Sequence, residues 1–136
     1  MSRATLFAVL LVATSVTGSA CAVKCEGPVD PAPFVALHVK AWESVHPEAH
    51  LAACLASHCV DVPAGETAQV NVSLPSVPTA PVRALSLRLT ATRGGETILH
   101  TTHLVRLRKV TVPGPCGFIE STRDVTLTAQ GSLSVA

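Results

Sequence analysis

Three histidines and one cysteine recur at four-residue intervals near the middle of the sequence, and their side chains are common metal ligands. They are His46, His50, Cys54 and His58. On an α-helix, neighbours at this spacing share a face and could bind zinc or copper in pairs. Each four-residue step also turns the side chain by about 40°, so all four cannot meet one ion. A metal site using His46, His50 and His58 is therefore an alternative hypothesis, and it would need Cys54 as a free thiolate.

A disulfide bond is a competing role for the cysteine in the same segment. The five cysteines are Cys21, Cys25, Cys54, Cys59 and Cys116. If Cys21 is lost by cleavage or used for lipid attachment, four remain, which predicts two disulfides in an exported protein. Three pairings are possible. We expect Cys54–Cys59, which closes a short hairpin, and Cys25–Cys116, which ties the mature N-terminus to a late loop.

The first twenty residues predict the export that this cysteine count requires. Arg3 adds positive charge beside the amino terminus, and residues 4–16 contain no charged side chain. This apolar run has the length of a signal-peptide core and is too short to span a bilayer. We therefore predict a signal peptide over residues 1–20 and an extracytoplasmic location, either at the cell membrane through a lipid anchor or secreted.

Two cleavage positions fit the residues that follow the apolar run. Gly18-Ser19-Ala20-Cys21 resembles a bacterial lipobox, although Gly18 stands where that family typically has leucine. In that family the chain is cut before the cysteine, whose sulfur then carries a diacylglycerol and whose amine is acylated. The resemblance implies a lipid anchor at Cys21. The alternative is a cut after Ala22, which fits the small-residue pattern of ordinary signal peptides and gives a freely secreted protein.

The strand pattern begins after a proline-containing spacer at residues 21–33. Residues 34–43 alternate apolar and polar side chains, which predicts a half-buried strand. Residues 47–57 admit two interpretations: a helix with Pro47 in its first turn, or two short strands around a four-residue loop at residues 55–58. We favour the hairpin because it brings both cysteines of this segment together.

The second half of the chain has clearer strand and turn signals. Residues 83–91 alternate leucines with polar side chains, and Gly94-Gly95 predicts a tight hairpin turn. Residues 97–112 form the returning strand, which is long enough to need a bulge or a break. Seven or eight short strands predict an all-β fold over residues 34–136: an antiparallel β-sandwich, immunoglobulin-like in the broad sense, with two disulfides.

Strand alternation also predicts where several basic side chains lie. A continuous strand would place Arg106 and Arg108 on one face, in a small basic stripe. The stripe would comprise Arg83, Arg88, Arg106, Arg108 and Lys109. His100 and His103 are three residues apart, so on the same strand they should face opposite sides.

Charge balance and motif content exclude several functions. Ten Lys and Arg stand against nine Asp and Glu, so the chain lacks the basic surplus typical of nucleic-acid-binding proteins. It has no Gly-x-Ser-x-Gly nucleophile sequence and no glycine-rich phosphate loop. We therefore expect neither an enzyme nor a resident cofactor.

The layout of the chain resembles small secreted or lipid-anchored proteins of actinobacterial type, most of them without an assigned function. The resemblance rests on the export segment, the Cys54 and Cys59 pair, the Pro-Gly-Pro-Cys loop at residues 113–116 and a terminal hairpin. It implies a location and a fold. We expect a non-enzymatic binding or structural module of the cell envelope, with an envelope or extracellular partner that the sequence does not name. The alternative is an extracytoplasmic metal-binding protein that uses the histidine and cysteine stripe.

Overall fold

The computed structural model describes residues 31–65, 69–114 and 117–136. This part of the chain contains nine β-strands and one short α-helix. In chain order these are β1 (Phe34–His38), α1 (Lys40–Val45), β2 (His50–Leu55), β3 (His58–Val62), β4 (Gln69–Ser73), β5 (Ala84–Arg93), β6 (Glu96–Arg106), β7 (Arg108–Val112), β8 (Phe118–Leu127) and β9 (Leu133–Val135). The fold is mostly β, as the sequence predicts, but the described strands number nine rather than seven or eight.

The strands form two sheets. Sheet A has five strands in the order β4-β1-β8-β7, with β9 also paired to β8. Sheet B has four strands in the order β3-β2-β5-β6 and is antiparallel throughout. In sheet A, β1 and β8 run parallel, with Ala36 opposite Asp124. The prediction of a purely antiparallel sandwich is therefore wrong for this pair. Parallel neighbours need a long connection, and here all of sheet B lies between them in the chain.

One hydrophobic core joins the inner faces of the two sheets and the helix. Sheet A contributes side chains at alternate strand positions, such as Val35 and Leu37, and sheet B does the same with Leu87 and Leu89. The buried members of the cluster are Val35, Leu37, Val39, Trp42, Leu51, Ala53, Leu55, Val62, Val72, Leu87, Leu89, Ala91, Val105, Val125 and Leu127.

The strand predicted over residues 34–43 is wrong in its second half. β1 ends at His38, and α1 follows after Val39, which has no side-chain capping hydrogen bond. The helix turns Trp42 into the core, where it is 2% exposed, whereas strand alternation placed Trp42 on the polar side with Lys40. A six-residue helix is not stable in isolation. Burial of an aromatic side chain, worth about 2–3 kcal/mol, is what stabilises α1.

Residues 97–112 form two strands in different sheets. β6 ends at Arg106 in sheet B, and β7 begins at Arg108 in sheet A. Between them the backbone N–H of Leu107 donates to the carbonyl of Arg83 at 2.9 Å. The predicted break is therefore confirmed at Leu107. The single basic stripe through Arg106 and Arg108 is wrong because the chain crosses from one sheet to the other between them.

The predicted hairpins are confirmed. β2 and β3 are antiparallel, so the helix considered for residues 47–57 is wrong. The four-residue loop predicted at residues 55–58 is also wrong: Leu55 pairs with His58, and only Ala56 and Ser57 join the strands. β5 and β6 are joined by Gly94 and Gly95, whose φ angles of 57° and 82° suit glycine. β9 returns antiparallel along β8 as the terminal hairpin. Within the part of the chain that the structure describes, no helix has the length and hydropathy needed to span a membrane.

Candidate functional site

The outer face of sheet B brings together a disulfide, an arginine and two histidines. Along β2, Leu51, Ala53 and Leu55 point into the core, so Cys54 points outward. Pairing then places Cys59 of β3 and Arg88 of β5 beside Cys54 on the same face. We call this surface the disulfide face. Its members include His50, Cys54, Cys59, Asp61, Arg88, Thr90, His100 and Thr102.

Cys54 and Cys59 are bonded to each other, as the sequence predicts. They are directly opposite in the ladder, and their sulfurs lie 2.05 Å apart. The two cysteines differ in exposure: Cys54 is 6% exposed on an internal strand, whereas Cys59 is exposed on the edge strand. An external reagent therefore reaches the Cys59 side of the bond more readily.

Arg88 places a positive charge against both sulfurs. Its Nη2 lies 3.5 Å from Cys54 Sγ and 3.9 Å from Cys59 Sγ. A disulfide sulfur is a weak acceptor for such a donor. A thiolate at the same place would interact with the guanidinium far more strongly, because charge-assisted hydrogen bonds are roughly twice as strong as neutral ones.

Two weaker polar contacts flank the disulfide. Thr90 Oγ1 lies 3.4 Å from His100 Nδ1. His50 Nε2 lies 3.8 Å from Asp61 Oδ1, with both side chains largely exposed. Exposed pairs of this kind contribute about 0–1 kcal/mol. They make the face polar without fixing its shape.

The structure does not bring the predicted metal-ligating histidines together. His46 follows α1 and stacks on Trp42, with ring centroids 4.6 Å apart. His50 and His58 stand at opposite ends of the β2–β3 hairpin, and strand pairing places His50 on the outer face and His58 on the inner one. Cys54 is occupied by its disulfide. Among the described residues, no group of three or more His, Cys, Asp or Glu could hold a metal ion.

The other sequence-predicted residues have mixed outcomes. The lipidation site Cys21 and the predicted partners Cys25 and Cys116 lie outside the described residues, so the second disulfide stays a prediction. His100 and His103 do face opposite sides of sheet B: His100 pairs with Thr90 on the outer face, and His103 pairs with core-facing Leu87.

Sequence reasoning missed the contact between Arg88 and the disulfide. Alternation along β5 correctly places Arg88 outward, but its partner strand cannot be read from that pattern. Arg88 and Cys54 are 34 residues apart in the chain, and their contact depends on the register between β2 and β5. A second missed pair is His38 Nε2 with Asp124 Oδ1, 3.1 Å apart on the outer face of sheet A.

Comparisons with protein-family models, with curated proteins and with solved structures find no match to this chain. A function must therefore be argued from the residues themselves.

Proposed function

We propose that this protein is exported and held at the cell envelope by a lipid on Cys21. There its β-sandwich is a non-enzymatic module that binds, or structurally supports, an envelope or extracellular partner. The observation that carries the proposal is the Cys54–Cys59 disulfide. Disulfides persist in oxidising compartments and are rare in the cytosol. This bond therefore supports the location that the segment at residues 1–20 predicts.

The length of chain before the sandwich suits a tethered domain. If the chain is cut before Cys21, residues 21–33 separate the lipid from β1, which begins at Phe34. Thirteen residues can span at most about 45 Å when fully extended. This reach is enough to let the sandwich stand clear of lipid headgroups and meet a partner from either sheet.

The surface of sheet B supports a binding role. Its outer face offers a guanidinium, an imidazole and hydroxyl groups at fixed strand positions, from Arg88, His100, Thr90 and Thr102. Next to them Leu104 is 63% exposed. Hydrogen-bonding groups at fixed positions can orient a partner, and Leu104 adds one apolar contact to them. The near-neutral charge of the chain argues against nucleic acid as the partner.

Fractionation of expressing cells tests this proposal. Wild-type protein should be found with the membranes and carry a lipid mass on Cys21, because two or more acyl chains anchor stably. Cys21→Ser should leave the membrane fraction. The control is Ala22→Ser, which introduces the same residue one position later and should keep the anchor. A soluble wild-type product that begins at Val23 would show that the chain is cut after Ala22 and secreted without an anchor.

A further inference from the structure

The disulfide face has an asymmetry that a purely structural crosslink does not need. The Cys59 sulfur is accessible, whereas the Cys54 sulfur is buried and is the nearer of the two to the guanidinium of Arg88. We propose that the Cys54–Cys59 disulfide is a site of thiol–disulfide exchange that takes its electrons from an external dithiol. Cys59 is the sulfur attacked, and Cys54 is the sulfur that leaves beside Arg88. This activity goes beyond a binding or structural role and does not depend on the lipid anchor.

Accessibility selects Cys59 as the electrophile. β3 is an edge strand of sheet B, and Cys59 is exposed there. Cys54 is 6% exposed and lies between two paired strands, opposite Cys59 on one side and Arg88 on the other. An incoming thiolate must approach the sulfur it attacks, and access to that sulfur controls the rate of exchange.

The position of Arg88 favours Cys54 as the leaving group. Arg88 Nη2 is nearer to Cys54 Sγ, at 3.5 Å, than to Cys59 Sγ, at 3.9 Å. Arginine beside a cysteine stabilises its thiolate, and a sulfur whose anion is stabilised leaves faster. Arg88 is placed for this because β5 is an internal strand, paired with β2 on one edge and with β6 on the other.

The exchange balances with a dithiol as the reductant. A thiolate of the dithiol bonds to Cys59 Sγ, the Cys54–Cys59 bond breaks, and its electron pair stays on Cys54 Sγ. The second thiol of the dithiol, as its thiolate, then attacks the dithiol's own sulfur in the mixed disulfide and releases the Cys59 thiolate. The dithiol is oxidised by two electrons to a disulfide. Cys54 and Cys59 become thiols by taking up the two protons that the dithiol lost.

A monothiol probe lacks the second thiol that completes the exchange within one molecule, so a brief reaction leaves the mixed disulfide and tests the assignment. The purified protein is incubated briefly with 2-mercaptoethanol, then quenched with acid, alkylated and mapped by mass spectrometry. The expected product carries the probe on Cys59 and the alkylating group on Cys54. Finding the probe mainly on Cys54 would overturn the proposal. The measurement uses the wild-type protein and needs no variant.

The role of Arg88 is tested by the rate of the same reaction. Arg88→Gln should react about five-fold more slowly, which is the effect of one partly screened charge at this distance. Arg88→Lys should recover part of the rate. Arg106→Gln is the matched control, because it removes a positive charge from β6 without a contact to either sulfur, and it should react like wild type. An Arg88→Gln variant that is folded by circular dichroism and reacts at the wild-type rate would overturn the proposal.

Discussion

The two sheets of this protein are stabilised by different means. In sheet B, β2–β3 and β5–β6 are hairpins with two-residue loops, and Cys54–Cys59 crosslinks the first of them. In sheet A, β1 lies parallel to β8, which follows about eighty residues later in the chain. The polar pair His38 and Asp124 joins these strands on the outer face. The two hairpins of sheet B therefore form from local contacts, one of them with a covalent bond. The β2–β5 pairing of sheet B and the parallel β1–β8 pairing of sheet A instead depend on the completed core.

This contrast has a chemical consequence. A reductant can change sheet B directly because its crosslink is exposed at an edge strand. The same reagent has no disulfide to attack among the described residues of sheet A. We therefore expect reducing conditions to loosen the β2–β3 edge while β1 and β8 stay paired.

We expect the greatest loss of stability from a substitution in α1, which packs on the sheet A side of the core. Trp42→Ala should lower the free energy of unfolding by about 3–5 kcal/mol, because it leaves a cavity under a helix too short to form alone. Val45 lies in the same helix and is 54% exposed. Val45→Ala should change the free energy of unfolding by no more than about 0.5 kcal/mol. Urea unfolding of the two variants measures both values, and similar effects would contradict the placement of Trp42.

Removing the disulfide of sheet B should have the second largest effect on stability. Cys54→Ser with Cys59→Ser should lower the free energy of unfolding by about 2 kcal/mol, because the bond closes a loop of only six residues in the unfolded chain. The double variant is compared with wild type by urea unfolding without reductant. Repeating both experiments with reductant should remove most of the difference. A difference that persists would show that the serines destabilise sheet B for another reason.

A close approach between the β8–β9 loop and sheet B should give a smaller effect. Gly131 has a φ of 83°, and a Cβ there would lie 3.1 Å from Leu99 Cδ1. Gly131→Ala should therefore cost about 1–2 kcal/mol, from the left-handed backbone and from the contact. Gly65→Ala is the control, because Gly65 has a φ of 74° with nothing within 4 Å of an added Cβ. Thermal unfolding should show the larger loss for Gly131→Ala, and equal losses would exclude a contribution from Leu99.

The smallest effect concerns the polar pair on sheet A. His38 and Asp124 side chains are 36% and 63% exposed. A double-mutant cycle with His38→Gln and Asp124→Asn should give a coupling free energy of about 0.5 kcal/mol or less. A coupling above about 1.5 kcal/mol would mean that sheet A has a polar anchor comparable with the crosslink of sheet B.

The sequence was informative where structure is local. Gly94-Gly95 and the spacing of Cys54 and Cys59 predicted two hairpins, because tight turns and short crosslinks depend on residues close in the chain. Alternation also predicted the inward leucines of β5, of which Leu87 and Leu89 are fully buried.

What the sequence did not reveal depends on contacts between distant segments. A short apolar run is compatible with a strand or with a helix. The sequence pattern therefore could not distinguish the helix that buries Trp42 from a continuing strand. The parallel pairing of β1 with β8 and the register that brings Arg88 to Cys54 join segments 34 or more residues apart. Only the assembled core selects such pairings. The candidate site was therefore predicted in part. The sequence predicted the disulfide, but it did not predict that Arg88 contacts it.

We propose that this chain is exported and that its Cys54–Cys59 bond forms at its destination. One mass-spectrometric measurement tests it most directly. Protein from expressing cells is alkylated at harvest, isolated from the envelope fraction and analysed both intact and after proteolysis. We expect that residues 1–20 are absent, that Cys21 carries lipid and that Cys54 and Cys59 are linked without alkylation. A product that retains residues 1–20 with both cysteines alkylated would contradict it.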